Sequence, residues 1–157
     1  MIKITVDTKA TRDYLKRLEG RLRDLRPQNR SAASRLLQLV QQNFLSRKTP
    51  WGTPWRRLAK STLRERIRLG YGSDPLRASG WLYASLRPNS GRSSFGISAL
   101  ASYAEFHQFG NPDSLAWGRG RVNVPARPFL PVKESGPDMP VRWWDALLEP
   151  FDNLVNV

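Results

Sequence analysis

Three patterns place this chain in the α+β class: a short alternating strand at its start, two amphipathic helical stretches after it, and an alternating hairpin in its middle. The strand is Ile2, Ile4 and Val6 interleaved with Lys3 and Thr5, apolar on one face and polar on the other. The first helix is capped by Asp7 or Thr8 and runs to about Leu25, with Tyr14, Leu15, Leu18, Leu22 and Leu25 as its stripe. Pro27 is expected to end it. Ser31 opens the second helix, which turns Leu36, Leu37, Val40 and Phe44 inward and runs to about Arg47. A connection of about five residues predicts that the two lie antiparallel.

Residues 48–58 break the helical period with Pro50-Trp51-Gly52-Thr53-Pro54-Trp55, a turn-rich loop. Thr62 and Glu65 then read as a capping box for a short helix through Leu69, closed by Gly70. A flexible link over 70–75 leads to a second short helix from Ser79 to Leu86, with Trp81, Leu82 and Leu86 available for burial. Residues 87–98 predict the hairpin, turning at Asn89-Ser90-Gly91-Arg92, with Phe95 and Ile97 alternating on the return strand.

The stretch Tyr103-Ala104-Glu105-Phe106-His107-Gln108-Phe109-Gly110 reads as a two-turn helix capped by Ser102 and ended by a left-handed Gly110. So short a helix is marginal in water, and its aromatic face of Tyr103, Phe106 and Phe109 is expected to be held by packing. A loop over 111–121 follows, long enough to be mobile, and then Val122 and Val124 suggest a last strand. Val124-Pro125-Ala126-Arg127-Pro128-Phe129-Leu130-Pro131 must be extended, because its prolines lack amide donors and disfavour helix in the residues before them. Asp138 caps a final helix with Pro140 in its first turn and a face of Val141, Trp144, Leu147 and Leu148, lasting until Pro150.

A length of 157 residues suits one domain over 1–157. The chain has no cysteine, which excludes disulfides, thiolate nucleophiles and Cys-based zinc sites. The first seven residues hold no apolar signal region, and no stretch nears the roughly 20 apolar residues of a membrane helix, so a soluble, unexported protein is expected. The net charge of +13 is uneven: residues 1–68 carry 18 Lys and Arg against 5 acids, and residues 69–157 carry 8 against 8. Of the 26 basic residues 20 are arginine, the side chain suited to bidentate contacts with phosphate or carboxylate. A basic half and an acidic C-terminal stretch on one subunit suit attraction between neighbours in a ring; a solvated surface is the plainer reading.

No catalytic constellation is visible. His107 is the only histidine and has no second nitrogen ligand, so a metal site would rest on carboxylates alone. As a general base it would need a nucleophile, and no serine sits in an elbow pattern; a structural bond to a loop carbonyl near the helix end is the favoured role. The 13 acids are scattered singly, and there is no glycine-rich phosphate loop with a lysine. No cofactor is expected. Trp51 and Trp55 beside Arg56, Arg57, Arg64, Arg66 and Arg68 suit phosphate contact with base stacking, although proline-flanked tryptophans more often fill an apolar groove.

Five blocks in order carry a resemblance: Pro50-Trp51-Gly52-Thr53-Pro54-Trp55; Ser61-Thr62; Leu76 to Ser85 around Ser79-Gly80-Trp81-Leu82; Tyr103 to Gly110; and Pro125 to Leu130. The set resembles the Mu-like phage virion-morphogenesis family, related to tail-completion proteins of tailed phages, with Pro50 and Ser79 as mild departures. The resemblance implies helices packed on a small, mainly antiparallel sheet, with long loops used in ring assembly. It implies a non-enzymatic subunit of a ring at the head–tail junction, a hexamer, joining capsid and tail around the DNA channel.

Its implied partners are further copies, other neck and tail proteins, and genomic DNA passing through without sequence recognition, with no membrane. The implied place is the virion, reached from the host cytoplasm. As motif or subunit-interface positions the resemblance marks Trp51, Gly52, Trp55, Gly80, Leu82, Tyr103, His107, Phe109, Gly110, Pro125, Arg127, Pro128, Phe129 and Leu130. Arg56, Arg57, Arg64, Arg66 and Arg68 are the candidates for the DNA channel or acidic partners. The loops around Trp51 and Trp55 and over 111–121 are expected to become ordered only in the assembly, and Arg127 to reach a carboxylate on the same or the next subunit. The alternative reading is a small basic nucleic-acid-binding protein.

Overall fold

A computed structural model describes residues 8–115 and 121–155, so the alternating stretch at 2–6 lies outside the described part. Helix α2 (Arg26–Ser46) is the element on which the rest is built. Its buried Asn29, Ala32, Ala33, Leu36, Val40, Asn43 and Phe44 recur every three or four positions, one face of a helix. It begins at Arg26 rather than Ser31 because Pro27 falls in its first turn, where a missing N–H leaves no bond unmade. The proline expected to end one helix therefore begins the next.

Helix α1 (Lys9–Leu22) buries no residue at all. Its main neighbour is α6 (Val141–Val155) rather than α2, so the expected antiparallel pairing of the first two helices is not formed. Helix α3 (Lys60–Arg68) starts after Ala59 without a side-chain cap, which places Thr62 inside the helix and leaves the expected capping box unmade. Its end behaves as anticipated: Gly70 has φ +73, and the N–H groups of Tyr71 and Gly70 donate to the carbonyls of Arg66 (2.8 Å) and Ile67 (3.0 Å). Helix α4 (Trp81–Ala84) follows Gly80, whose φ of +80 favours glycine; Leu82 is buried, but Trp81 is 55% exposed, against expectation.

Strands β1 (Leu86–Ser90) and β2 (Phe95–Ala99) form the expected antiparallel hairpin, Leu86 opposite Ala99 and Ser90 opposite Phe95, so the turn sits at 91–94. This hairpin packs on α2. After α5 (Ala104–Phe109), strands β3 (Asn111–Leu115) and β4 (Arg121–Val124) pair with a bulge between Asn111 and Ser114. The loop expected over 111–121 is thus partly a hairpin, and residues 116–120 lie outside the described part. A minimal ladder joins β5 (Val132–Lys133) to β6 (Gly136–Pro137). Among the described residues the strands make three separate two-stranded antiparallel ladders on an α-helical frame, an α+β architecture.

The core centres on the Phe44 ring, which meets Trp55 at 5.4 Å edge-on, Tyr83 at 5.5 Å and Phe129 at 5.5 Å. Trp143 and Leu147 close it from α6. Of the expected face only Leu147 is buried: Trp144 and Leu148 are 42% and 48% exposed, Val141 is 85% exposed, and Trp143 takes the inward place instead. Helix α6 also runs through Pro150 instead of ending there. A proline removes the N–H that would bond to the carbonyl four residues back, here that of Ala146, and Arg35 Nη1 from α2 donates to that oxygen at 3.4 Å. The same guanidinium pairs with Glu149, whose carboxyl it holds below the usual range by hydrogen bond and charge. Arg35→Leu should therefore loosen the last turns of α6; the amides after Pro150 are expected to exchange faster while those of α2 are unchanged.

Candidate functional site

The extended segment from Val124 to Pro131 is held by groups that reach it from α5, from α2 and from the loop that carries Trp55. With three prolines it has few donors, and each remaining buried N–H needs an acceptor. Arg127 N–H donates to the His107 carbonyl at 2.7 Å. The N–H groups of Phe129 and Leu130 both donate to Gln108 Oε1, each at 3.0 Å. Gln108 Nε2 donates in turn to the carbonyls of Leu130 (3.1 Å) and Val132 (2.8 Å). Both donors and both acceptor sites of this amide are used, and the residue is 3% exposed. Asn43 Nδ2 donates to the Phe129 carbonyl (3.2 Å), and Trp55 Nε1 to the Pro128 carbonyl (2.8 Å).

Helix α5 delivers Gln108 because its inward face is Ala104 and Gln108, one turn apart, and not the aromatic row. Phe106 and Phe109 are exposed at 44% and 36%, the reverse of the expectation. Tyr103 stays partly buried against the core. Gly110 ends the helix with φ +84, and a Cβ there would stand 3.0 Å from Ala126 N and 3.1 Å from Val124 O. The close approach of helix end and proline segment therefore requires glycine.

Trp55 belongs to the core, 6% exposed, so the expectation that its loop orders only in the assembly is corrected: Trp55 is anchored within its own subunit. Phe129 is fully buried there too. Gly52 has φ +95, and Arg142 Nη2 donates to the neighbouring Pro50 carbonyl. Trp51 keeps its indole N–H buried without a partner and has Lys133 Nζ 5.1 Å from its ring centroid. With Phe109, Ala126 and Pro128 it lines an open groove of about 550 Å³ beside the segment. Trp55→Phe should keep most of the packing and lose the bond to Pro128, costing about 1–2 kcal/mol in urea unfolding.

Arg127 is 5% exposed and, among the described residues, has no carboxylate partner; within the subunit its expected ion pair is replaced by bonds to backbone oxygens. Its Nε donates to the Arg56 carbonyl (2.9 Å) and Nη2 to the Arg57 carbonyl (3.3 Å), tying the proline segment to the strip after Trp55. Burial, then the charges of Arg66 and Arg56, push its pKa down. Arg66 is partly buried, donates to the Asp74 carbonyl at 2.8 Å, and is likewise shifted down by burial. The side chains of Arg56, Arg57 and Arg64 are exposed, and Arg68 is neutralised by Glu65 at 2.7 Å. The basic strip thus divides into a structural pair beneath, Arg127 and Arg66, and exposed cations above.

His107 faces Tyr103 edge-on at 5.6 Å, and its Nδ1 is buried without a partner. The bond expected from its ring to a loop carbonyl is not made among the described residues; its own main-chain carbonyl accepts from Arg127 instead. Burial, then the charges of Arg127 and Arg66, hold its pKa below the ordinary histidine value. The unfolded chain therefore binds the proton more readily than the folded one. Stability is complete above roughly pH 6.5, the unfolded value, and falls as pH drops toward the lower folded value. His107→Gln should remove this dependence: between about pH 7.5 and 5.5 the urea midpoint of the wild type is expected to fall further than that of the variant.

The site is a frame of helices, a clipped extended segment and a cationic strip, and among the described residues there is no group of three or more metal-ligating side chains. The chain belongs to the phage virion morphogenesis family, whose model matches residues 6–140. It is a bacteriophage virion protein with a part in building the particle. No curated protein and no solved structure matches it. Among the described residues no helix is long and apolar enough to cross a membrane.

Gln108 and Asn43 were not singled out from the sequence. A signal existed for the first: Ala104 and Gln108 sit one turn apart in a helix followed by a donor-poor segment whose remaining N–H groups need acceptors.

Proposed function

We propose that this chain is a non-enzymatic structural subunit that forms a ring, a hexamer, at the head–tail junction, joining capsid and tail around the channel through which the DNA leaves. One observation carries the reading: a fixed cationic surface that the subunit does not itself neutralise. Among the described residues, the exposed side chains of Arg56, Arg57 and Arg64 have no carboxylate partner, and the buried Arg127 holds the backbone of the first two through their carbonyls. Cations held on a rigid scaffold suit a passing duplex, whose phosphates are the same whatever the sequence, or the acidic faces of neighbouring neck and tail proteins. The proline segment supplies the rigidity, and the exposed Phe106, Phe109 and Trp81 supply apolar contacts for further subunits.

The same exposed arginines favour a second reading, a small basic protein that binds nucleic acid on its own. Titration of the purified chain with duplex DNA over a range of salt separates the two. The ring reading expects weak affinity for free DNA and self-association that tolerates salt. Tight binding by the monomer, with log affinity falling steeply against log salt, supports the second reading instead.

A further inference from the structure

Arg127 carries its charge inside the subunit, and the groups fixed around it add to that charge instead of balancing it. Its backbone N–H is bonded to the carbonyl of His107, and its Nε and Nη2 to the carbonyls of Arg56 and Arg57, so the end of α5 and the arginine strip meet at this guanidinium. Arg66 reaches the same place from α3: the charges that act on Arg127 are those of Arg66 and Arg56, and those that act on His107 are of Arg127 and Arg66. No acid among the described residues joins them. A buried cation is ordinarily paired, and carbonyl bonds supply dipoles but no opposite charge. The field of Arg127 and Arg66, acting through a medium less polar than water, therefore adds to that of the exposed Arg56 and Arg57 side chains. Arg64 continues the exposed row on α3.

We infer that Arg56 and Arg57, backed by the buried Arg127 and by Arg66, form a seat for a phosphate group, supplied in the assembled particle by a nucleic-acid strand. The inference rests on the ring reading for the source of the phosphate, and it chooses between the two kinds of anion that reading allows. A row of exposed cations with no balancing acid suits a row of anions. A strand supplies phosphates at close, regular spacing whatever its sequence, whereas carboxylates on a protein surface come singly and mixed with cations. The forked donors of arginine match the phosphate oxygens.

His107 reports on the seat. Its ring meets Tyr103, whose own pKa burial raises, and its Nδ1 is buried without a partner. Protonation of the ring is opposed by burial and by the charges of Arg127 and Arg66. An anion on Arg56 and Arg57 offsets that repulsion, so filling the seat raises the pH at which His107 titrates. By linkage, phosphate binds more tightly as pH falls through the same range.

The full-length chain has one histidine, so a single ring C–H resonance follows its titration by NMR at constant ionic strength. A short DNA duplex should move the midpoint up toward about 6.5, the value of an unburied histidine. Arg56→Gln with Arg57→Gln removes the seat but not the carbonyls that hold Arg127; its circular dichroism should match the wild type, and duplex should leave its midpoint in place. Arg30→Gln with Arg92→Gln takes equal charge from the other end of α2, where Asn29 bonds to the Arg92 carbonyl, and should respond like the wild type. Inorganic phosphate that acts like duplex supports a seat for a single phosphate group, and a shift with duplex alone supports a seat that needs the strand. A wild-type midpoint that duplex leaves unmoved, or an equal shift in the Arg56 and Arg57 variant, overturns the inference. Polyglutamate that moves the midpoint as far as duplex overturns the assignment to phosphate. Either failure leaves the ring reading standing, with acidic neighbours as the partners of the strip.

Discussion

Gln108→Leu is expected to destabilise the protein by about 4 kcal/mol, although it nearly preserves side-chain volume. A buried polar group left without its partner costs about 1–3 kcal/mol, and the change strands the N–H groups of Phe129 and Leu130 and removes a donor from the carbonyl of Val132 and from that of Leu130, which keeps the Val132 N–H. Water reaching some of them holds the total below a simple sum. The damage also spreads, because Phe129 is the fully buried ring that meets Phe44 in the core, and its backbone is positioned by this amide. Urea unfolding at neutral pH reads the effect directly. A loss under about 1 kcal/mol would show that the proline segment is held by its apolar anchors alone.

Gly110→Ala should be nearly as harmful, at about 2–4 kcal/mol. Holding a non-glycine residue in such a backbone region costs about 1–3 kcal/mol, and forcing extra volume into close packing adds to it. The atoms a Cβ would strike, Ala126 N and Val124 O, are backbone and cannot swing aside. Gly20→Ala is the control: nothing lies within 4 Å of its Cβ position and it sits inside α1, so alanine there should stabilise by up to about 1 kcal/mol. Equal effects at the two positions would mean that helix α5 and the proline segment do not approach as described.

The fold class, the hairpin at 87–98, the extended proline segment and the glycine ends of α3 and α5 were legible because each rests on local chemistry. Which face of a helix turns inward was legible only where one face is apolar. In α6, Trp143 with Leu147 and Trp144 with Leu148 satisfy the helical period equally well, and only contact with α2 selects the first pair. In α5 hydrophobicity pointed the wrong way, because the inward position holds an amide that serves a backbone group 21 residues further along the chain. Pro27 and Pro150 misled for a related reason. A proline is harmless at a helix start, and tolerable inside one when a distant residue such as Arg35 satisfies the freed carbonyl. Arg127 was read as a partner for a carboxylate, and nothing local shows that the carbonyls of Arg56 and Arg57 would lie within its reach.

The most direct test of the ring proposal is electron microscopy of intact virions in which this subunit carries a compact label. The account predicts label density in a ring at the junction of head and tail, coaxial with the DNA channel. Label at the distal end of the tail, or particles that are complete without it, would contradict the account.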